Sequence, residues 1–281
     1  VAAKQGTSAQ ASAARAGFSA IAAIGRPCFW HGGSLWIGES RGRTQWHRHH
    51  AHQIAIALRG RFGFRTEPEG DWCGYAGAFV ASECTHQFEI DGSATVAHLF
   101  VEPESSAGRA LTARYPTPAV AELPPDAVRA AARLLRQGLQ AGHGARALAG
   151  AATAAIAELS GSTPGLERQP DPRLGPALDY IRAHLADTVQ LRDVAAAVAL
   201  SESRFRHLFV AETGSSFRAY VLWLRINLAV EAALSGATWT EAAHLAGFAD
   251  SAHLTRTHKR MFGIEPTALR ARPPANALTS T

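Results

Sequence analysis

The feature that most constrains this chain is a pattern that occurs twice in its last hundred residues. The first copy reads Leu191-Arg-Asp-Val-Ala195-Ala-Ala-Val-Ala-Leu200 and continues Ser201-Glu-Ser-Arg-Phe205-Arg-His-Leu-Phe209. The second reads Trp239-Thr-Glu-Ala-Ala243-His-Leu-Ala-Gly-Phe248 and continues Ala249-Asp-Ser-Ala-His-Leu254-Thr-Arg-Thr-His258. In each, an apolar residue is followed four positions on by Ala, and five further on by another apolar residue. The small Ala lets a second helix cross closely, and Leu200 and Phe248 are placed to fill the corner. Ser201 and Asp250 then stand as N-cap candidates. The next helix has a dry side, as with Phe205 and Phe209, and a polar, basic side. A support helix, a tight turn and a two-faced second helix make a helix-turn-helix unit.

One such match is weak, because any two short amphipathic helices imitate it. Two copies about fifty residues apart, joined by a long helix over 217–234, are far more specific. That helix spans ~25 Å at 1.5 Å per residue. One DNA turn is ~34 Å, so both second helices can enter successive major grooves on one face of a duplex.

The run Gly247-Phe248, Leu254-Thr-Arg256, Lys259-Arg-Met-Phe262-Gly263-Ile-Glu-Pro266 and Leu269-Arg270 resembles the closing signature of the AraC/XylS family of regulators. Thr213-Gly214, Phe217-Arg-Ala-Tyr220 and Arg225-Ile-Asn-Leu-Ala229 fit it as well, so the resemblance covers 174–272. Leu254 and His258 depart from it, standing where aromatic residues are usual, and Ala268 stands where Tyr is common. With His258 on its dry side, the second recognition helix is expected to be less firmly packed. The resemblance implies a bacterial, cytoplasmic transcription regulator that binds a double-stranded DNA operator and is not an enzyme. A second copy of the chain and RNA polymerase are further candidate partners.

Helix position selects the residues expected to meet DNA: early exposed positions reach base edges and flanking ones meet phosphate. They are Ser203, Arg204, Arg206 and His207 in the first unit. In the second they are Ser251, His253 and Arg256, with Lys259 and Arg260 nearer the backbone. Arg206 is the best placed for bidentate reading of a guanine edge. The first unit, with its fuller apolar plug and denser basic face, is expected to do most of the base reading.

The texture of the N-terminal half differs. Short alternating apolar stretches, such as those over 54–58 and 95–101, suggest a sandwich or small barrel. Its densest imidazole cluster is Trp46-His47-Arg-His49-His50-Ala-His52-Gln53. On a strand, His47 and His49 share a face. With Gln53 and a later His86 they resemble the ligand set of a cupin barrel, the fold common in sensor domains of AraC-type regulators. Gln replaces the usual Glu, and the second motif (77–86) lacks its usual Pro. Three readings of His47, His49, Gln53 and His86 therefore stand: a divalent metal site, a metal-free effector pocket, or structural histidines. No cofactor is otherwise expected. Cys73 and Cys84 fall near this region, where they would sense thiophilic metals or oxidants, or simply pack as small hydrophobes.

Composition sets limits. The three cysteines (Cys28, Cys73, Cys84) form no CxxC pair, which excludes a zinc ribbon and favours a reducing compartment. The net charge of +5 divides as +3 before residue 170 and +2 after it, so nucleic-acid binding must rest on where charges sit. The expected class is α+β: a cupin-like barrel or sandwich, then helices, then an all-α domain with two helix-turn-helix units. The expected layout is an N-terminal arm over 1–20, a cupin-like sensor over 21–104 and a helical dimerisation or packing segment over 105–160. A linker over 161–172, the DNA-binding domain over 173–273 and a tail over 274–281 complete it. The alternative is a cupin-type metal-dependent enzyme with an accessory helical domain.

Overall fold

The computed structural model describes residues 21–116, 119–140, 144–161 and 170–271. The arm expected over 1–20, most of the linker expected over 161–172 and the tail over 274–281 lie outside the described residues.

Alternating apolar residues build the N-terminal sheet. Strands β1 (Ala22–Trp30) and β2 (Gly33–Arg43) form a hairpin over the two-residue turn His31-Gly32. Then come β3 (His52–Arg59), β4 (Phe62–Arg65), β5 (Cys73–Tyr75), β6 (Gly77–Val80) and β7 (Gln87–Val101). β7 is the spine: β2 pairs along one of its edges, and β3 and then β4 pair along the other. Register breaks between Ser40 and Gly42 in β2, and between Ala57 and Arg59 in β3, bend these strands and raise the local twist. Leu35, Ile37, Ile54, Ile56, Phe79 and Leu99 lie buried in the resulting core.

Three helices cover this sheet: α1 (Ser106–Arg114), α2 (Pro125–Gln140) and α3 (Gly144–Ser160). Val128, Ala131, Ala132 and Leu135 of α2 recur at helical spacing and join the sheet's own core. Leu148, Ala152, Ala155, Ile156 and Leu159 of α3 do the same. Between α1 and α2 a short strand, β8 (Val120–Glu122), pairs with β6, so the segment expected to be helical also extends the sheet.

The C-terminal part is helical, with α4 (Leu174–Ala183), α5 (Leu191–Ala197), α6 (Glu202–Thr213), α7 (Phe217–Leu234), α8 (Trp239–Leu245) and α9 (Ser251–Phe262). Its core gathers Phe205, Phe209, Tyr220, Trp223, Ile226 and Leu254 around α7. The sequence predicts only helices after Leu174, yet β9 (Leu269–Ala271) pairs in parallel with β1. The other edge of β1 is taken by β2, so this edge offers unpaired backbone groups that a passing segment can satisfy. The last described residues thus belong to the sheet in space.

Candidate functional site

The two helix-turn-helix units repeat one backbone device. The Leu200 N–H donates to the Ala195 carbonyl at 2.9 Å, and the Phe248 N–H to the Ala243 carbonyl at 2.9 Å. The residue before each is left-handed, Ala199 at φ 55° and Gly247 at φ 73°. The Ser201 side chain caps α6 by accepting from the Arg204 N–H at 3.4 Å. Asp250 caps α9 by accepting from the His253 N–H at 2.6 Å. Ala195 and Ala243 are buried where the helices cross.

Ser203, Arg204, Arg206 and His207 are exposed on α6; on α9 Arg256 and Arg260 are exposed, and Ser251, His253 and Lys259 half-buried. Arg206 is paired with Glu202 at 2.8 Å and Lys259 with Glu265 at 2.8 Å. Surface pairs of this kind contribute little, so a phosphate or base edge can replace either carboxylate.

The opposite face of α9 corrects one expectation. Leu254, Thr257, His258 and Met261 are buried, so this helix is firmly packed. Leu254 and Met261 pack into the helical core around α7, while His258 meets a surface that the sequence does not announce: the sheet domain. The Gln45 N–H donates to the Gly263 carbonyl at 2.8 Å. A Cβ at Gly263 would meet the Gln45 carbonyl and would lie 2.7 Å from His47 Nδ1, so only glycine permits this approach. Between sheet and helices lies a cavity of about 110 Å³. Trp36, Phe88 and Phe100 line it from the sheet, and Asn227 of α7 with His258 and Phe262 of α9 close it.

The imidazoles gather beside this cavity. The ligand atoms of His47, His49 and His86 all lie within 4.8 Å of one another. Each Nδ1 faces a backbone carbonyl: Gln45 at 2.9 Å, Ala51 at 2.8 Å and Cys84 at 2.9 Å respectively. At His47 and His86 Nδ1–H donates, leaving Nε2 as a lone-pair donor, which is how metal-ligating histidines are commonly oriented; His49 Nε2 already meets the Gln53 amide at 3.0 Å and would have to leave it to bind a cation. His86 Nε2 is buried without a partner among the described residues. This donor set fits a divalent cation that accepts imidazole nitrogen. Gln53 is neutral, and its amide joins His49 Nε2 at 3.0 Å to His98 Nδ1 at 2.9 Å. Burial, reinforced by the neighbouring imidazoles, lowers His47 to about 3 and His98 to about 4. Cys73 is exposed and Cys84 buried, and neither lines the cavity.

A buried ionic cluster bridges the same junction. Arg182 of α4 donates to Glu102, just past β7, at 2.7 Å and to the Tyr220 hydroxyl of α7 at 3.1 Å. His50 meets Glu104 at 2.9 Å. Burial, with the Glu104 carboxylate nearby, pushes Glu102 up to about 7. Burial opposes ionisation of the other pair too, but their mutual attraction wins: His50 is raised and Glu104 lowered.

Sequence reasoning missed His98, Glu102, Glu104, Arg182 and Trp36. A lone His or Trp on an alternating strand carries no motif, and an Arg paired 80 residues away has no local signal. His50 stands within the cluster in sequence but off the face that His47 and His49 share on a strand.

Among the described residues no helix is long and apolar enough to cross a membrane. A family model described as a helix-turn-helix domain matches residues 194–272. The regulatory protein PocR of Salmonella typhimurium is 34% identical over 102 residues, which are 36% of this chain and 33% of PocR. The probable transcriptional regulator LumQ of Photobacterium leiognathi is 28% identical over 90 residues, 32% of this chain and 36% of LumQ. The chain thus spans about a third of the length of these curated relatives. In fold it is similar to a solved structure of ToxT from Vibrio cholerae, at TM-score 0.53 and 8% identity, over 84% of this chain and 97% of that one. A structure of ToxT bound to an unsaturated fatty acid matches at TM-score 0.51 and 8% identity, over 88% of this chain and 92% of that one.

Proposed function

We propose that this chain, whose last third is an AraC-type helix-turn-helix domain, is a sequence-specific transcription regulator controlled by a small molecule held in its cupin-like sensor. One observation carries this reading: α9 has two working faces. Its outer face exposes Arg256 and Arg260, while its inner face places His258 and Phe262 in the wall of the cavity. A molecule entering that cavity touches the helix that meets DNA. That ToxT, similar in fold, has been solved with a fatty acid bound supports a small molecule as effector.

Ser203, Arg204, Arg206 and His207 of α6, with Ser251, His253, Arg256, Lys259 and Arg260 of α9, form the DNA-contacting surface in this proposal. Arg206→Ala is expected to weaken operator binding by about 1–3 kcal/mol and to relax preference at one base pair. Selection of bound sequences from a random duplex pool by the full chain provides the operator. Failure to enrich any sequence refutes the regulator. Linkage then requires effector and operator to change each other's affinity by the same factor. Identical effector affinity with and without operator refutes the control mechanism.

The histidine cluster favours a second reading of the sensor, in which His47, His49 and His86 hold a divalent cation. A bound cation would supply a fixed positive charge beside the cavity. Zinc titration of the full chain, with His86→Ala as control, is expected to show one site that the substitution removes. Turnover by the metal-loaded chain would instead favour the cupin-type enzyme.

A further inference from the structure

We infer that a groove along α7, between the two helix-turn-helix units, seats the DNA backbone that crosses from one contacted major groove to the next, with Arg218 as its phosphate contact. This rests on reading the chain as a DNA-binding regulator, and it adds a third contact surface to those on α6 and α9.

The first argument is position. The loop before α5 lends the groove Thr188, α7 lends Phe217, Arg218 and Arg225, and the second unit lends Gly247 and His253. That loop leads into the support helix of the first unit, and Gly247 is the left-handed turn residue of the second. The groove therefore lies between the units, and His253, near the start of α9, places one end beside the recognition surface. A duplex entered by α6 and α9 in successive major grooves presents a minor groove between them. That minor groove is about 6 Å wide and bordered by the phosphates of both strands. Those phosphates pass the elements that join the units.

The second argument is charge. Arg225 is fixed by two carbonyls: its Nε–H donates to Leu185 at 3.2 Å and its Nη2–H to Asp187 at 2.7 Å. A Cβ at Gly247 would come within 3.0 Å of this guanidinium, so the glycine makes room for it. Carbonyls orient a guanidinium without neutralising it. Arg218 lies two turns earlier on the same helix, roughly 10 Å away along the axis at 1.5 Å per residue, and is exposed. Neither arginine is paired with a carboxylate among the described residues, unlike Arg206 with Glu202. Asp187 is the one acid in the lining among the described residues; it is exposed and meets Arg225 through its carbonyl. A cleft lined mainly by one sign of charge draws the opposite sign. The exposed Thr188 adds a hydroxyl that can donate to a phosphate oxygen.

Ethylation interference on the selected operator tests this, because ethylation neutralises one phosphate at a time. With the unaltered chain, interference is expected at phosphates bordering the central minor groove as well as beside each recognition helix. Arg218→Gln is expected to abolish the central interference and keep the rest. It should also make the slope of log affinity against log salt shallower by about 0.9, so that the affinity lost between about 50 and 200 mM salt shrinks about 3.5-fold. The selected sequence is expected to stay the same, as for a phosphate contact. Arg129→Gln, which removes an exposed arginine of α2, is expected to change neither readout. A blank centre in the unaltered chain overturns the proposal, and so does central interference that survives Arg218→Gln. A salt slope that falls equally in both variants overturns it as well, since net charge would then account for the effect. If Arg218→Gln fails to fold, the ethylation pattern of the unaltered chain still decides. A chain that selects no operator refutes the regulator instead, whereas one that selects an operator with a blank centre loses only this surface.

Discussion

In the first helix-turn-helix unit the inner face of α6 is closed by Phe205 and Phe209, within the helical domain itself. In the second the inner face of α9 carries Leu254 and Met261, which join the same helical core, and His258 and Phe262, beyond which lie the sheet and its cavity. The outer faces are alike, with arginines exposed on both. The difference teaches where control can enter: α6 is supported by its own domain alone, whereas α9 rests partly on its own domain and partly on a junction whose contents can change. His258 therefore marks the side of the helix that faces another part of the chain.

The largest expected effect breaks the junction that sets the two units apart. Arg182→Ala leaves Glu102 buried beside Glu104 without its counterion. Removing one partner of a buried pair typically costs about 3–5 kcal/mol, and because Glu102 can take up a proton near neutrality and a fifth of the Arg182 side chain is exposed, the loss is expected to fall below that range. Denaturant melts report the loss, and adding Glu102→Gln is expected to recover much of it. A loss below 1 kcal/mol would mean that the junction is not held here.

Of the two units, the second is expected to be the more sensitive to acid. Burial lowers His258 from 6.5 to about 4, so the folded state resists a proton that the unfolded chain accepts. The stability tied to this neutral imidazole is fully present above pH 6.5 and is lost as pH falls toward 4. A shift of that size corresponds to roughly 3 kcal/mol. His258→Phe is expected to lessen the fall in melting temperature between pH 6.5 and 4 without abolishing it, since buried His47 and His98 of the sheet are lowered too. Hydrogen exchange resolved by helix should show α9 opening before α6 as pH drops; simultaneous opening would erase the distinction between the units.

What could be read from the sequence divides along the same line. Both units, the bounds of α7, and the caps Ser201 and Asp250 were legible because each is set by residues within one or two turns. His47, His49, Gln53 and His86 were legible as a cluster because three of them lie within seven positions. The cavity was not. Its walls come from β2, β7, α7 and α9, and none of Trp36, Phe88, Asn227 and His258 announces the others. The pairing of β9 with β1 joins Leu269 to Ala23 across almost the whole chain, and a three-residue strand has no period to detect. Docking between distant elements is decided by surface complementarity, which no local pattern encodes.

The remaining predictions sharpen the comparison at the turns, where the two units do the same thing with different residues. Gly247→Ala is expected to destabilise by about 2 kcal/mol, because a left-handed Ala costs roughly 1–2 kcal/mol and its Cβ would sit 2.7 Å from the Leu185 carbonyl. The equivalent position in the first unit already carries Ala at φ 55°. Ala199→Gly should therefore relieve strain, while the added freedom of the unfolded chain takes back about 0.4–1 kcal/mol. The net gain is expected to lie below about 1 kcal/mol, the smallest effect considered. Thermal melts of the two single variants and the double variant measure it, and the effects should add, since each turn is closed by its own helices. A destabilising Ala199→Gly would show that the first turn gains from its methyl group in packing what it loses in conformation, and the two turns would then differ in kind.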